Sequence, residues 1–178
     1  PVDSQVKEQF WKAMGRLGEL VAVISEVSWP MFHDSMAIAR TIQMSEATAY
    51  HTNLIKAHGP RIYPPVRLRL EAGFFISAID YIQAQRARAL FYHQSLRLFE
   101  KVDLLAGPTV PVTAFKIGLD KVKVGQANVG AISLLTQYTR PFNLNGFPAI
   151  TLPCGFSDDG LPIGLQLAGR PFEEEIVL

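Results

Sequence analysis

The side chains in this sequence that could make bonds or capture a ligand are one cysteine, four histidines and a scatter of arginines. Cys154 stands in Pro153-Cys154-Gly155, at the end of an expected strand, where a nucleophile is readily presented. A cysteine nucleophile needs a partner base. The histidines, His33, His51, His58 and His93, all lie far upstream. Free cysteine is among the most buried residue types, so a packed, unreactive thiol is the reading adopted. No two histidines stand four residues apart beside a carboxylate, the helical spacing of a zinc site, so neither a metal nor a cofactor is expected.

Other groups support bland roles at least as well. Gly155, Gly160, Gly164 and Gly169 are too spread to cradle a phosphate and do not lead into a helix; turns and close packing account for them. Glu173, Glu174 and Glu175 point in different directions on a helix, which rules out a paired acid and base and suits a solvated first turn. Arg67, Arg69, Arg86 and Arg88 could grip a substrate carboxylate through paired hydrogen bonds, although a solvated helix face suits most of them. Taken alone, these residues form no complete catalytic set.

The elements that must position them alternate along the chain. Asp3 is placed to cap a helix whose apolar positions Val6, Phe10, Ala13, Met14 and Leu17 share one face, with Gly18 as its end. The β-branched run Val21 to Val27, closed by Trp29-Pro30, predicts a strand. A helix is predicted from Met31 to Ala57, with a break near Ser45-Glu46, ended by His58-Gly59-Pro60. Residues 67–100 read as one or two amphipathic helices. A short strand is predicted over Val102 to Ala106, then a proline-rich turn, then a long loop from Gly118 to Gly130. After a helical stretch from Ile132 to Tyr138, two strands are predicted, Pro148 to Pro153 and Ile163 to Ala168, joined by Ser157-Asp158-Asp159-Gly160.

This interleaving predicts an α/β class, with mixed sheet strands packed with long helices. With 178 residues and 48% apolar composition, the chain can bury a core without disulfides. Seventeen basic against sixteen acidic residues leave a charge of +1 and no basic run, so no nucleic acid partner is expected. The single cysteine cannot form an internal disulfide and fits a reducing, cytoplasmic setting. No apolar stretch approaches the roughly 20 residues of a bilayer span, so no membrane contact is expected.

The block Arg140-Pro141-Phe142-Asn143-Leu144-Asn145-Gly146-Phe147-Pro148-Ala149, running into Leu152-Pro153-Cys154-Gly155 and then Gly160-Leu161-Pro162-Ile163-Gly164-Leu165-Gln166, resembles the C-terminal block of the amidase-signature family. The segments Ser77 to Arg88 and Asp103 to Pro111 agree with it in order and approximate spacing. The resemblance implies amide hydrolysis by a Ser-Ser-Lys triad in the N-terminal half of a single α/β domain. It makes residues 1–178 the C-terminal portion of that domain, truncated at both ends and inactive alone. No glycine- and serine-rich nucleophile loop occurs in these residues, so none of them is assigned a catalytic role.

What the resemblance assigns here is one wall of the substrate pocket: Thr136, Thr139, Asn143 and Gly146 near the acyl group, with a helix before Asn143. Arg69 and Gly73 match the region that in amidotransferase-type relatives holds a polar substrate end. The implied partners are a small-molecule amide and the N-terminal half of the same fold, with a homodimer left open. The competing reading is a non-catalytic binding or scaffold module that keeps this half of the fold.

Overall fold

Asp3 caps as its position predicts: its Oδ1 accepts the Gln5 amide at 2.9 Å, and helix α1 runs over Ser4–Leu20 with Val6 and Met14 buried. The computed structural model describes residues 1–20 and 23–178. Gly18 lies inside α1 rather than at its end, a position where glycine costs about 1 kcal/mol and is tolerated. Of the strand expected over Val21 to Val27, Val21 and Ala22 lie outside the described residues. The remainder forms no strand, and Val23 is 95% exposed. β-branched side chains favour a ladder only where a neighbouring strand completes it, and none of the described strands pairs there.

Helix α2, Ser35–His58, is continuous through Ser45 and Glu46, so the expected break is absent. Ser45 and Thr41 instead return their hydroxyls to the preceding turn, Ser45 Oγ donating to Thr41 O and Thr41 Oγ1 to Ala37 O, which lets both sit inside a helix. The chain then turns at Gly59–Arg61 into α3, Pro64–Ala72, and at Gly73–Phe75 into α4, Ala78–Leu96. These are the two helices read from residues 67–100, with Ser77 and Asp80 exchanging hydrogen bonds at the start of α4.

Strand β1 spans Leu105–Pro108, three residues later than predicted, because its ladder is set by a partner far along the chain. Pro108 falls at the last register position, where a missing N–H is least costly. The loop expected from Gly118 to Gly130 contains a hairpin, β2 over Lys121–Val124 and β3 over Ala127–Gly130. Its signal was present: Lys121, Val122, Lys123 and Val124 alternate, and Gly125 supplies the positive φ, +59°, of the turn. Val124, Val112 and Leu134 form the core beneath it.

Short helices α5, Ala131–Thr136, and α6, Arg140–Asn145, precede β4, Ala149–Phe156, and β5, Pro162–Ala168. The last two are the predicted strand pair, and Gly160 at φ +75° sits in the predicted turn. Among the described residues the sheet order is β1-β5-β4, antiparallel throughout, with α1 packed on all three strands. Between Pro153 and Gly155 the register shifts by one, so Cys154 is a bulged residue. Helix α7, Glu174–Val177, closes the chain with the acidic first turn expected.

The chain divides into two compact units. One, Pro1–Trp29 with Ser95–Leu178, holds the sheet, the hairpin and α1, α5, α6 and α7. The other, Pro30–Gln94, is helical. No helix among the described residues is long and apolar enough to cross a membrane.

Candidate functional site

Four of the six candidate residues lie on α5, α6 and the turn that follows. Leu134, fully buried, anchors α5 to the core below the hairpin and leaves Thr136 half-buried on the other side. Thr136 Oγ1 donates to Ile132 O at 3.1 Å and accepts from Arg140 Nη2 at 2.8 Å. Thr139 stands at the N-cap of α6 without a side-chain cap bond, and its carbonyl accepts the Asn143 amide at 3.2 Å. Asn143, expected to follow a helix, lies within α6 and is exposed; its side chain makes no hydrogen bond to the described residues. A turn-stabilising role for Asn143 therefore has no contact to support it.

Helix α6 ends in a left-handed step. Gly146 has φ +73° and ψ 27°, and its amide donates to Phe142 O at 2.8 Å, with the Phe147 amide on the same carbonyl at 3.2 Å. This conformation favours glycine because a Cβ would crowd the following carbonyl. Gly146 is exposed, while Phe147 is buried and leads to Pro148 and β4. The structure thus gathers Thr136, Thr139, Asn143 and Gly146 into one contiguous segment whose other side is core.

Three further residues hold that segment. Gln166, buried in the middle of β5, donates from Nε2 to Tyr138 O at 3.1 Å and ties the α5–α6 link to the sheet. An amide within the apolar strand Ile163-Gly164-Leu165-Gln166-Leu167-Ala168 is a legible signal, since buried polar groups require partners. Ser95 and Asn145 form the second tie, Asn145 Nδ2 donating to Ser95 Oγ at 3.0 Å. Nothing local in the sequence links two residues 50 apart.

Arg69 and Gly73 belong to the helical unit. Arg69 is exposed on α3. Gly73 is buried where α3 meets α2: a Cβ there would strike Thr48 Oγ1 and the Met44 carbonyl, with Thr48 Cβ at 2.8 Å. Thr48 Oγ1 itself donates to Leu70 O. Close packing is sufficient reason for glycine at this position. Among the described residues no group of three His, Cys, Asp or Glu side chains could hold a metal ion.

A family model described as Amidase matches residues 1–178. This chain belongs to the amidase family. An amidase of Pseudomonas putida is 35% identical over 179 aligned positions, covering 99% of this amidase-family chain and 38% of that protein. A glutamyl-tRNA(Gln) amidotransferase subunit from Acaryochloris marina is 32% identical over 203 positions, covering 99% of this chain and 41% of that protein. A crystal structure of an amidase superposes with a TM-score of 0.93 at 28% identity, over 99% of this chain and 40% of that one. The corresponding glutamyl-tRNA(Gln) amidotransferase subunit from Thermotoga maritima superposes with a TM-score of 0.74 at 31% identity, over 99% and 37%. The chain therefore spans about two fifths of the length of these relatives.

Cys154 is a free, half-buried cysteine at the bulge of β4. Burial pushes its thiol up, partly offset by a backbone hydrogen bond, whereas a nucleophilic cysteine needs its thiol lowered. At pH 8 its alkylation by iodoacetamide should run several-fold slower in the native protein than in urea. A native rate equal to the denatured one would show the thiol unprotected. Because the folded value lies above the unfolded one, the thiol favours the fold below the unfolded value, and that contribution is lost as pH rises through the folded value.

Proposed function

We propose that the protein carrying this chain hydrolyses the carbon–nitrogen bond of a small-molecule amide, with residues 1–178 as the C-terminal portion of a single amidase-signature domain. The observation that carries this reading is the match of 99% of this chain to 38% of the Pseudomonas putida amidase, 35% identical over 179 positions for 178 residues, almost without gaps. The amidotransferase relatives that align over 99% of this chain need 200 or more positions to do so, so they carry insertions that this chain lacks. That difference favours the amidase over the amidotransferase as the guide to substrate class.

The chemistry belongs to a Ser-Ser-Lys triad in the part of the domain N-terminal to this chain. The lysine takes the nucleophilic serine's proton through the bridging serine as that nucleophile attacks the amide carbonyl; the proton returns to the leaving nitrogen, ammonia or an amine departs, and water then releases the acid. The contribution of residues 1–178 is a pocket wall at Thr136, Thr139, Asn143 and Gly146, with Arg69 and Gly73 at the polar end of the substrate. Support for the wall is its mixture of a free amide side chain, hydroxyls and an exposed glycine on one segment backed by core. The N-terminal half of the fold is the partner that this wall faces. A reducing, cytoplasmic setting is part of the same proposal and rests on the single free cysteine.

The test is ammonia release from propionamide and benzamide by the full-length gene product, with the 178-residue chain assayed beside it. Release by the former and none by the latter is expected. No release from the full-length protein, together with an upstream sequence lacking a serine–glycine loop and a lysine, would overturn the reading in favour of a binding module.

A further inference from the structure

Two residues of α6 are gripped from the core side, and they set the direction of the exposed ones. Trp29 lies against Phe142 with ring centroids 5.2 Å apart and an interplanar angle of 55°. The indole Nε1 of Trp29 also donates to Ser95 Oγ at 2.9 Å. The same oxygen accepts Asn145 Nδ2 at 3.0 Å, three residues after Phe142 on the helix. Ser95 is fully buried and Asn145 is 7% exposed. One hydroxyl thus joins segments of the chain 66 and 50 residues apart and fastens the last turn of α6 to them.

The consequence falls on the left-handed step. Phe142 O, the acceptor for both the Gly146 and Phe147 amides, belongs to the residue that Trp29 holds; the residue before Gly146 is the one that Ser95 holds. Both contacts hold the backbone of the last turn of α6, which carries the exposed Asn143 and leads into Gly146, against the core. An apolar side chain at position 145 would bury as well and avoid a cost the amide incurs, since Asn145 Oδ1 is buried without a hydrogen-bond partner among the described residues. A polar group retained in the core against its own desolvation marks a position chosen for geometry rather than stability.

We propose that Asn145 is a positioning residue for the reaction: through Ser95 it locks the Gly146–Phe147 step and so aims the acyl-pocket wall. The proposal rests on the amidase reading for its kinetic consequence but has a readout independent of it. In the full-length protein, Asn145→Leu and Ser95→Ala are each expected to raise the hydrogen-exchange rates of the Gly146 and Phe147 amides roughly tenfold. With the amide that the wild type turns over best, both variants should lose about tenfold to a hundredfold in kcat/KM, mostly in kcat. The double variant should be no worse than the more damaged single one, because both break the same bond. A merely structural role predicts a lower melting temperature with unchanged kcat per folded molecule.

Unchanged exchange at Gly146 and Phe147 in Asn145→Leu would overturn the proposal, as would wild-type kcat/KM in a variant whose exchange has risen. Should Asn145→Leu fail to fold, Asn145→Ser takes its place, and Ser95→Ala, which also removes the acceptor of the Trp29 indole, must show at least as large a rise in exchange. A wild-type protein that hydrolyses no amide refutes the functional reading, and the exchange rates still judge the lock.

Discussion

Truncating Phe99 to alanine is expected to lower the unfolding free energy of the full-length protein by about 3–5 kcal/mol, the usual cost of removing a phenyl ring from a packed core. Phe99 is 2% exposed, in the tight turn Arg97–Glu100 after α4. Its ring meets Phe147 edge-on, with centroids 5.6 Å apart and planes at 61°. Phe147 is the residue through which the Gly146 step passes into Pro148 and β4, so the ring buttresses the candidate wall from inside. The Phe99 carbonyl also accepts Arg170 Nη2, which ties the segment after β5 to the same turn. The side-chain truncation leaves that backbone bond in place, so the loss is chiefly transfer free energy and cavity. A urea titration should show the midpoint fall with little change in slope. Phe172→Ala is the control: its ring is 93% exposed, and its loss should change stability by no more than about 0.5 kcal/mol. Equal effects at Phe99 and Phe172 would refute the packing described.

Which of these features the sequence made legible follows from whether their causes are local. The Asp3 cap, the end of α2 at His58, the β4–β5 pair and its Ser157–Gly160 turn each depend on residues near one another, and each is where the pattern puts it, except that β4 runs past the expected end at Pro153 to Phe156. The β2–β3 hairpin was also local, with two alternating lysine–valine pairs and a turn glycine, and was masked by the loop-like composition around it. Features set by distant partners were not legible. β1 starts at Leu105 because Ala168 is its partner there, and residues 23–27 have strand composition but pair with no strand among the described residues.

The same division applies to the candidate site. The block from Arg140 to Gln166 identified the family because its motif is contiguous, and it pointed to Thr136, Thr139, Asn143 and Gly146. Trp29 and Ser95, which hold this segment, give no local signal, since their hydrogen bonds are closed by the fold across 66 and 50 residues; Gln166 does, as an amide inside an apolar strand. Of the two asparagines in α6, the family motif points to the exposed Asn143, whereas among the described residues only the buried Asn145 has a side-chain partner.

Gly73→Ala separates a packing glycine from a substrate-binding one. The ideal Cβ overlaps Thr48 Oγ1 and the Met44 backbone carbonyl, and lies 2.8 Å from Thr48 Cβ, well inside van der Waals contact. Thr48 can yield only by giving up its hydrogen bond to Leu70 O, which leaves that carbonyl to find another donor. Met44 yields only if α2 itself shifts, because the atom in the way is backbone within a continuous helix. The expected loss is therefore near the upper end of the range for overpacking, about 3 kcal/mol, read from the urea midpoint of the full-length protein. The companion variant Gly73→Ala with Thr48→Ala clears the hydroxyl and leaves the carbonyl, so it should recover less than half of the loss. Gly73→Ala with native stability and a raised KM would instead assign Gly73 to the substrate. A stability loss with KM unchanged assigns it to the approach of α3 to α2, and of the two residues proposed to hold a polar substrate end only Arg69, exposed on α3, then remains.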